Sequence, residues 1–439
     1  MPADLEGPRF RVATGLSLAH PSDFPLTRYQ KLVVALLAFL QFTVILDFMT
    51  LSPLGAVLMP ALHITPAQFG LVVSVYAFSA GTSGFLAAGF ADRFDRKKFL
   101  LFFYAGFVLG TLLCGMAGSY PVLLVARMVT GGFGGVIGSV VFAITTDLFP
   151  FEMRGRVMGF VQTAFAASQV LGIPAGLYFS NLWGWHAPFI MIVAVSAVVG
   201  VVIVLWLQPI DGHLRGPAGG RGGGSAFRHL QATVGKPRYL QAFATTALLS
   251  TGGFMLMPFG SAFTVHNVGI RVEKLPVLYL VTGFCTIFTG PLVGRAADRF
   301  GKFNTFTFGT ALTILMVLIY TNLGVTPLPL VIAINAILFV GIFSRMVPSQ
   351  ALMSAVPSPD TRGSFMSVSS SVQQFSGGVA SALAGLIVVE GPGGVLLHFE
   401  RLGYVVVGAS LVTLVMMRQI HKMIPETAKA GVPAVAAID

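Results

Sequence analysis

Ala88-Gly89-Phe90-Ala91-Asp92-Arg93-Phe94-Asp95-Arg96-Lys97 and, 206 residues further on, Gly294-Arg295-Ala296-Ala297-Asp298-Arg299-Phe300-Gly301-Lys302 are the stretches on which the reading of this chain turns. Each is a short charged interruption between long apolar runs. A second pair keeps nearly the same step: Arg154-Gly155 followed by Met158 returns, 208 residues later, as Arg362-Gly363 followed by Met366. One short match is coincidence; two in register are an internal repeat. The chain is therefore read as two halves of like architecture.

The runs between these interruptions decide the solvent. Hydrophobic residues make up 55% of the chain and charged residues 10%, against about a quarter charged in soluble domains. Many apolar runs exceed the ~20 residues that span a bilayer. The pattern predicts an all-α membrane protein of twelve transmembrane helices. We place them near 31–57, 67–90, 99–117, 121–146, 155–181 and 186–207, then 237–265, 276–297, 303–323, 327–353, 363–389 and 402–420. The Gly-rich stretch from Gly216 to Ser225 cannot span and reads as flexible. The expected organisation is a leader over 1–30, a six-helix bundle over 31–207, a linker over 208–236, a second bundle over 237–420 and a tail over 421–439. Of 27 Lys and Arg, 22 fall in the leader, linker, tail and alternate loops. That bias puts both termini in the cytoplasm and makes the repeat parallel.

The net charge of +11 then reads as topogenic loops rather than a nucleic-acid surface. Cys114 and Cys285 lie in apolar runs and suggest no disulfide framework. The polar leader does not read as a cleavable signal. No Walker loop, metal cluster or nucleophilic triad is visible. An enzyme, a cofactor and ATP-driven transport are therefore not expected.

With these motifs quoted, the chain resembles the major facilitator superfamily. The two Asp-Arg-Phe stretches are similar to that family's loop signature and its second-half copy. Arg127-Met128-Val129-Thr130-Gly131 resembles its helix 4 motif, and Asp147-Leu148-Phe149-Pro150 with Arg154-Gly155-Arg156 the loop after it. Leu171-Gly172-Ile173-Pro174-Ala175-Gly176, followed by Gly184-Trp185, is similar to the helix 5 motif of drug and sugar proton antiporters, the sugar-efflux and arabinose-efflux type. Ala88 and Asp95 stand where the loop signature usually has glycine. Ile173 interrupts a usual Gly-Pro, and His186 follows where the subgroup often has arginine. The resemblance implies a conformational latch at Asp92, Arg93, Arg96, Asp298 and Arg299, with Asp92 facing the start of helix 11 near Thr361-Arg362-Gly363. A solvated loop charge is the plainer alternative. Gly172, Pro174 and Gly176 would let helix 5 bend as a hinge against the other half, or serve as an ordinary kink.

Ionisable groups within the spans carry the functional reading. Asp47 is the acid near the middle of an apolar run, at a cost of roughly 2.5–3.5 kcal/mol if left facing lipid. Burial favours its neutral form and a neighbouring arginine its charged form. A carboxylate held between those influences can take up and release a proton; a permanent structural pair with Arg127 is the alternative. Arg345 lies deeper in its span than Arg127 and can meet a substrate, Glu390 or backbone carbonyls. Gln41, Gln162, Gln169, Asn335, Gln373 and Gln374 are candidate polar contacts for a substrate, or helix-bridging amides. His266 is a second candidate proton site, or an interfacial histidine. The glycines at 131, 134, 135 and 138 form a smooth face below Arg127.

The function expected is export of a small solute, sugar or drug-like, by proton-coupled alternating access with Asp47 and Arg127 as the proton site. Proton-coupled uptake, a receptor and a lipid transporter remain alternatives. Partners would be the solute, protons and lipid, with the chain working as a monomer in a bacterial inner membrane.

Overall fold

The computed structural model describes residues 26–87, 91–211, 214, 236–358 and 361–424; the side chains of Asp92, Phe151, Glu152 and Arg362 lie outside that description. Most of the expected leader, linker and tail falls outside it too. The first half runs α1 (Arg28–Thr50), α2 (Gly55–Leu62), α3 (Pro66–Ala87), α4 (Arg96–Gly115), α5 (Tyr120–Leu148), α6 (Phe151–Ala167), α7 (Ile173–Trp183) and α8 (Ala187–Trp206). The second runs α9 (Pro237–Leu256), α10 (Gly260–His266), α11 (Leu275–Phe300), α12 (Lys302–Thr321), α13 (Leu328–Ser354), α14 (Arg362–Ile387) and α15 (Phe399–Met423). A two-stranded hairpin, β1 (Val389–Glu390) with β2 (Leu396–Leu397), joins the last two helices. Sequence patterning did not foresee it.

Helix ends follow local chemistry. Thr27 caps α1 in a reciprocal box: its hydroxyl accepts from the Gln30 amide at 3.2 Å, and the Gln30 side chain accepts from the Thr27 amide at 3.0 Å. Asp95 caps α4 by accepting from the Lys98 amide at 2.9 Å. Arg154 closes the far end of α5, donating to the carbonyls of Thr146 at 2.7 Å and Phe149 at 3.0 Å. Gly301, at φ 92°, reverses the chain between α11 and α12 in a conformation that side chains disfavour.

Among the described residues eleven helical rods are long and apolar enough to cross a membrane; α6 and α7 count as one, as do α9 and α10. The rod that falls short on apolar content is α14. It is 26 residues long but rich in Ser, Gln and Gly. Large apolar side chains stand exposed around the outside, among them Phe102, Leu205, Phe288 and Leu386. A water-soluble protein would not present so many together.

The two halves pack alike. α3 and α4 lie on α5 as α11 and α12 lie on α13; α4 meets α8 as α12 meets α15; α1 meets α6 as α9 meets α14. Even the ends correspond. The Gln208 amide donates to the Tyr29 hydroxyl at 3.1 Å, tying the start of α1 to the end of α8. Arg238 donates to the Met423 carbonyl at 2.6 Å, tying the start of α9 to the end of α15.

Between the halves, the two ends of the molecule differ. At the end away from the termini, one continuous apolar core takes residues from both halves, including Leu54, Phe69, Phe259 and Phe263. At the end that bears the termini, the apolar packing divides. One cluster belongs to the first half, and another to the second with Phe85 of α3 laid against it.

Candidate functional site

Asp47 lies inside the first bundle, fully buried, as is Arg127. Its Oδ2 accepts from Arg127 Nη1 at 2.8 Å, and its Oδ1 accepts from the Thr111 hydroxyl at 3.2 Å. Three helices thus meet at one carboxylate: α1 supplies the acid, α4 the hydroxyl and α5 the guanidinium. A fourth, α3, lays the Tyr76 ring against Arg127 with the guanidinium carbon 4.3 Å from the ring centre. Arg127 Nε has no hydrogen-bond partner among the described residues. Thr43 and Thr50, which share the Asp47 face of α1, do not bind it. The Thr43 hydroxyl meets Tyr104 at 3.1 Å, and the Thr50 hydroxyl is buried without a partner.

Glycines place these groups. A Cβ on Gly131 would sit 2.4 Å from the Tyr76 carbonyl oxygen, and one on Gly135 2.3 Å from that of Ala80. The α3 backbone therefore rests directly on α5, one and two turns past Arg127, which brings Tyr76 under the guanidinium. The smooth face read in the sequence is what builds the site.

The chemistry follows from the pairing. Two charges taken out of water are each costly, and they offset one another only while both remain charged. A proton on Asp47 would leave Arg127 as an uncompensated buried cation. A proton could therefore be taken up here only with a rearrangement that admits water or an anion, or that moves the arginine.

Arg345, on α13, is also buried, at 5% exposed. Its Nε and Nη2 have no hydrogen-bond partner, and no carboxylate among the described residues pairs with it. Glu390 is exposed in the hairpin. Gln41 is half-buried with its carbonyl oxygen unpartnered, Gln169 is buried, and Gln162 and Gln373 are exposed. The Asn335 side chain donates to the Val331 carbonyl of its own helix at 3.1 Å. Gln374 packs beside Gly81 of α3, and His266 lies against Gly394 next to the hairpin.

At the terminal end, Arg96 is buried; its Nε donates to Asp147 at 2.9 Å and its Nη1 to the Ala91 carbonyl at 3.1 Å. Arg93 is exposed, as are Asp298 and Arg299. The latch assigned to Asp92 lies outside the described side chains.

The segment read as a hinge departs from regular α-helix. Ser168–Gly172 forms a turn of π-helix between α6 and α7, just before Pro174, which has no amide to donate. Gly172 faces Leu46 of α1, and Gly176 faces Pro188 and Thr50. The close approach to the other half is made by Gly283 of α11, where a Cβ would lie 2.9 Å from the Gln169 carbonyl oxygen.

Sequence reasoning did not find Thr111, Tyr76 or Gly283. It also missed the interlock at the distal end. The Ser52 hydroxyl donates to the Met257 carbonyl, and the Ser261 hydroxyl to the Ser52 carbonyl at 2.9 Å. Phe48 and Phe69 meet Phe254 and Phe259, with ring centres 5.7 and 5.9 Å apart. The first span was read as running unbroken over 31–57, whereas α1 ends at Thr50 and α2 begins at Gly55. Among the described residues no group of three or more His, Cys, Asp or Glu could hold a metal ion.

Known proteins frame this geometry. Residues 37–417 match the model of the family described as Major Facilitator Superfamily. An uncharacterized MFS-type transporter, YceJ of Bacillus subtilis, is 25% identical over 87% of this chain and 94% of its own length. A probable sugar efflux transporter of Mannheimia succiniciproducens is 21% identical over 52% of this chain and 55% of its own. The fold is similar to a crystal structure of a bacterial homolog of the human lysosomal transporter Spinster, in an inward-facing and unoccupied conformation. Its TM-score is 0.65 at 18% identity, over 90% of this chain and 96% of that one.

Proposed function

The chain belongs to the Major Facilitator Superfamily and is a multi-pass integral membrane protein, and from that premise we propose that it exports a small solute, sugar or drug-like, by proton-coupled alternating access. The observation that carries the reading is the fully buried Asp47–Arg127 pair. In one state the pair is closed and charge-balanced. In the other, the bundle loosens, Asp47 takes a proton, and Arg127 is left to water or solute. Each turnover then moves one proton against the solute.

Twelve spans with both termini in the cytoplasm belong to this proposal. Supporting the twelfth is the place of α14, whose glycines pack tightly on α3. A Cβ on Gly70 would lie 2.7 Å from the Ser381 carbonyl oxygen, and one on Gly385 2.8 Å from that of Pro66. A helix lodged so closely between others can be polar and still cross, because its polar face does not meet lipid. The joined distal core and the divided terminal packing support a state closed to the outside. The hinge at Ser168–Gly172 and the interlock at Ser52 would move as it opens. Export and sugar-like cargo rest on the helix 5 motif and on the sugar efflux relative. The setting proposed is a bacterial inner membrane, with the monomer as the working unit.

The test is flux in proteoliposomes under an imposed pH gradient, over a panel of sugars and drug-like solutes, with the gradient applied in each sense. Wild type should drive a solute uphill with the gradient in one sense only, which reads the direction. The double variant Asp47→Asn with Arg127→Gln, which removes both charges together, should retain folding and lose gradient dependence. Gradient-driven flux unchanged in that variant would rule the pair out as the proton site.

A further inference from the structure

We infer that Arg345 anchors a carboxylate on the transported solute, so that the cargo is a small organic acid. The inference rests on the transport reading above and narrows its cargo. Its first support is charge bookkeeping. Arg345 is an arginine buried to within 5% of complete enclosure, in a helix with no acid along its length. In the first bundle the buried arginine has its aspartate at 2.8 Å. In the second, no carboxylate of the described residues stands within 4.0 Å of Arg345. An unpaired guanidinium held out of water is costly enough that it persists where something else balances it.

Its second support is the shape of the free groups. The unpartnered atoms are Nε and Nη2. Those two N–H bonds lie parallel in the guanidinium plane along one edge, the fork that receives both oxygens of a carboxylate at once, and they are enclosed here, so the fork is reached when the packing around it opens. A hydroxyl or a carbonyl fills one prong and leaves the other bare. The third nitrogen, Nη1, points at α9, 3.9 Å from where a Cβ on Gly252 would stand. Beside it, Gly253 has open space where its side chain would be. Gly252, near the distal end of α9, thus lets the guanidinium lie close against that helix, while the open space at Gly253 is on an exposed face.

Its third support is position. Arg345 lies nine residues from the end of α13 that shares the terminal face, about 14 Å along a helix. It therefore sits at the boundary between the divided terminal packing and the joined distal core, with Leu352 and Met353 of α13 in the former and Leu338 of α13 and Val406 of α15 in the latter. A solute entering from the terminal side meets this cation before it reaches the seal.

The experiment measures binding to purified full-length protein in detergent by thermal shift and titration. The probes are matched acid and neutral pairs: benzoate with benzamide, glucuronate with glucose, gluconate with sorbitol. Wild type should be stabilised by at least one acid and not by its neutral partner. Arg345→Lys keeps the charge but loses the fork, and should weaken that acid roughly tenfold or more. Arg345→Gln should abolish its binding. Without ligand, Arg345→Gln should unfold at a temperature equal to or above wild type, because an uncompensated charge has gone. A structural arginine would give the opposite shift.

Three results overturn the assignment: no acid stabilises wild type, a neutral partner binds as well as its acid, or Arg345→Gln binds the acid as wild type does. None of these readouts needs a pH gradient. Selective acid binding without gradient-driven flux would leave this inference standing and sink proton coupling. Gradient-driven flux of neutral solutes, indifferent to Arg345→Gln, would do the reverse.

Discussion

The two bundles share a fold and treat buried charge in opposite ways. In the first, Arg127 is matched by Asp47, braced by Thr111 and Tyr76, and enclosed completely. In the second, Arg345 is enclosed almost as fully and matched by no carboxylate among the described residues. The same contrast recurs at the terminal face. Arg96 of the first half is buried and tied to Asp147, whereas its counterpart 206 residues on, Lys302, is only half-buried; the preceding pair, Arg93 and Arg299, are both exposed. Packing was duplicated and charge was not. On the proposals made above this is a division of labour: the first bundle would hold a balanced pair for a proton to unbalance, and the second an unmatched cation for a solute to balance.

The largest expected effect tests that asymmetry directly. Arg127→Gln strands a carboxylate in the first bundle, and the loss of one partner of a buried pair costs about 3–5 kcal/mol. Its thermal unfolding in detergent should fall sharply. Adding Asp47→Asn should restore most of the loss, because the stranded charge is then gone. In the second bundle the matching single change, Arg345→Gln, should cost nothing. If both arginine variants lose stability alike, the division of labour is wrong.

The next effect concerns the seam rather than the charges. Gly283 allows α11 to touch the π-turn of the hinge. Gly283→Val must push the two apart, and overpacking of this kind costs about 1–3 kcal/mol. Gly159, on the same rod as the hinge but with open space around it, is the control. Gly159→Ala should leave the unfolding temperature within error. The Gly283 variant should also shift cysteine labelling of the distal face upward, since it forces apart two helices of opposite halves beneath that face.

These expectations mark what the sequence could and could not say. Asp47, Arg127 and Arg345 were visible because a charge inside an apolar run has no cheap explanation. Their partnerships were not visible. Asp47 and Arg127 are 80 residues apart, and Thr111 and Tyr76 look like any other residue of an apolar helix. The glycine face of α5 was legible as a surface, but what it touches is set by how α3 crosses it. The polar character of α14 was on the page from the start, yet only its neighbours explain how so many serines can be accommodated. The repeat, by contrast, was carried by local loop motifs and needed no tertiary knowledge.

A smaller effect separates the two ends of the molecule. Ser52→Ala removes one hydroxyl from the distal interlock, and Ser261→Ala removes the other. Each hydrogen bond contributes about 0.5–1.5 kcal/mol. The pair of changes should barely alter unfolding, because the apolar core around them stays intact. It should alter the balance between open and closed states, since these bonds exist only when the distal end is shut. Faster labelling of a cysteine introduced at Ala262, read against the same cysteine in wild type, would register it. Unchanged labelling would mean that the apolar core alone seals the end.

The smallest effect belongs to the second-half copy of the charged loop. Arg96→Ala breaks a partly buried ion pair and frees a carbonyl that it was satisfying at Ala91. A buried polar group left without its partner costs about 1–3 kcal/mol. Asp298→Ala removes an exposed carboxylate, and surface charges are worth little once water and salt screen them. Thermal unfolding should therefore drop for the first variant and stay put for the second, though the two loops read almost alike as sequence. If Asp298→Ala unfolds as early as Arg96→Ala, then its side chain is engaged in another state of the protein. The asymmetry at the terminal face would then belong to one conformation and not to the fold.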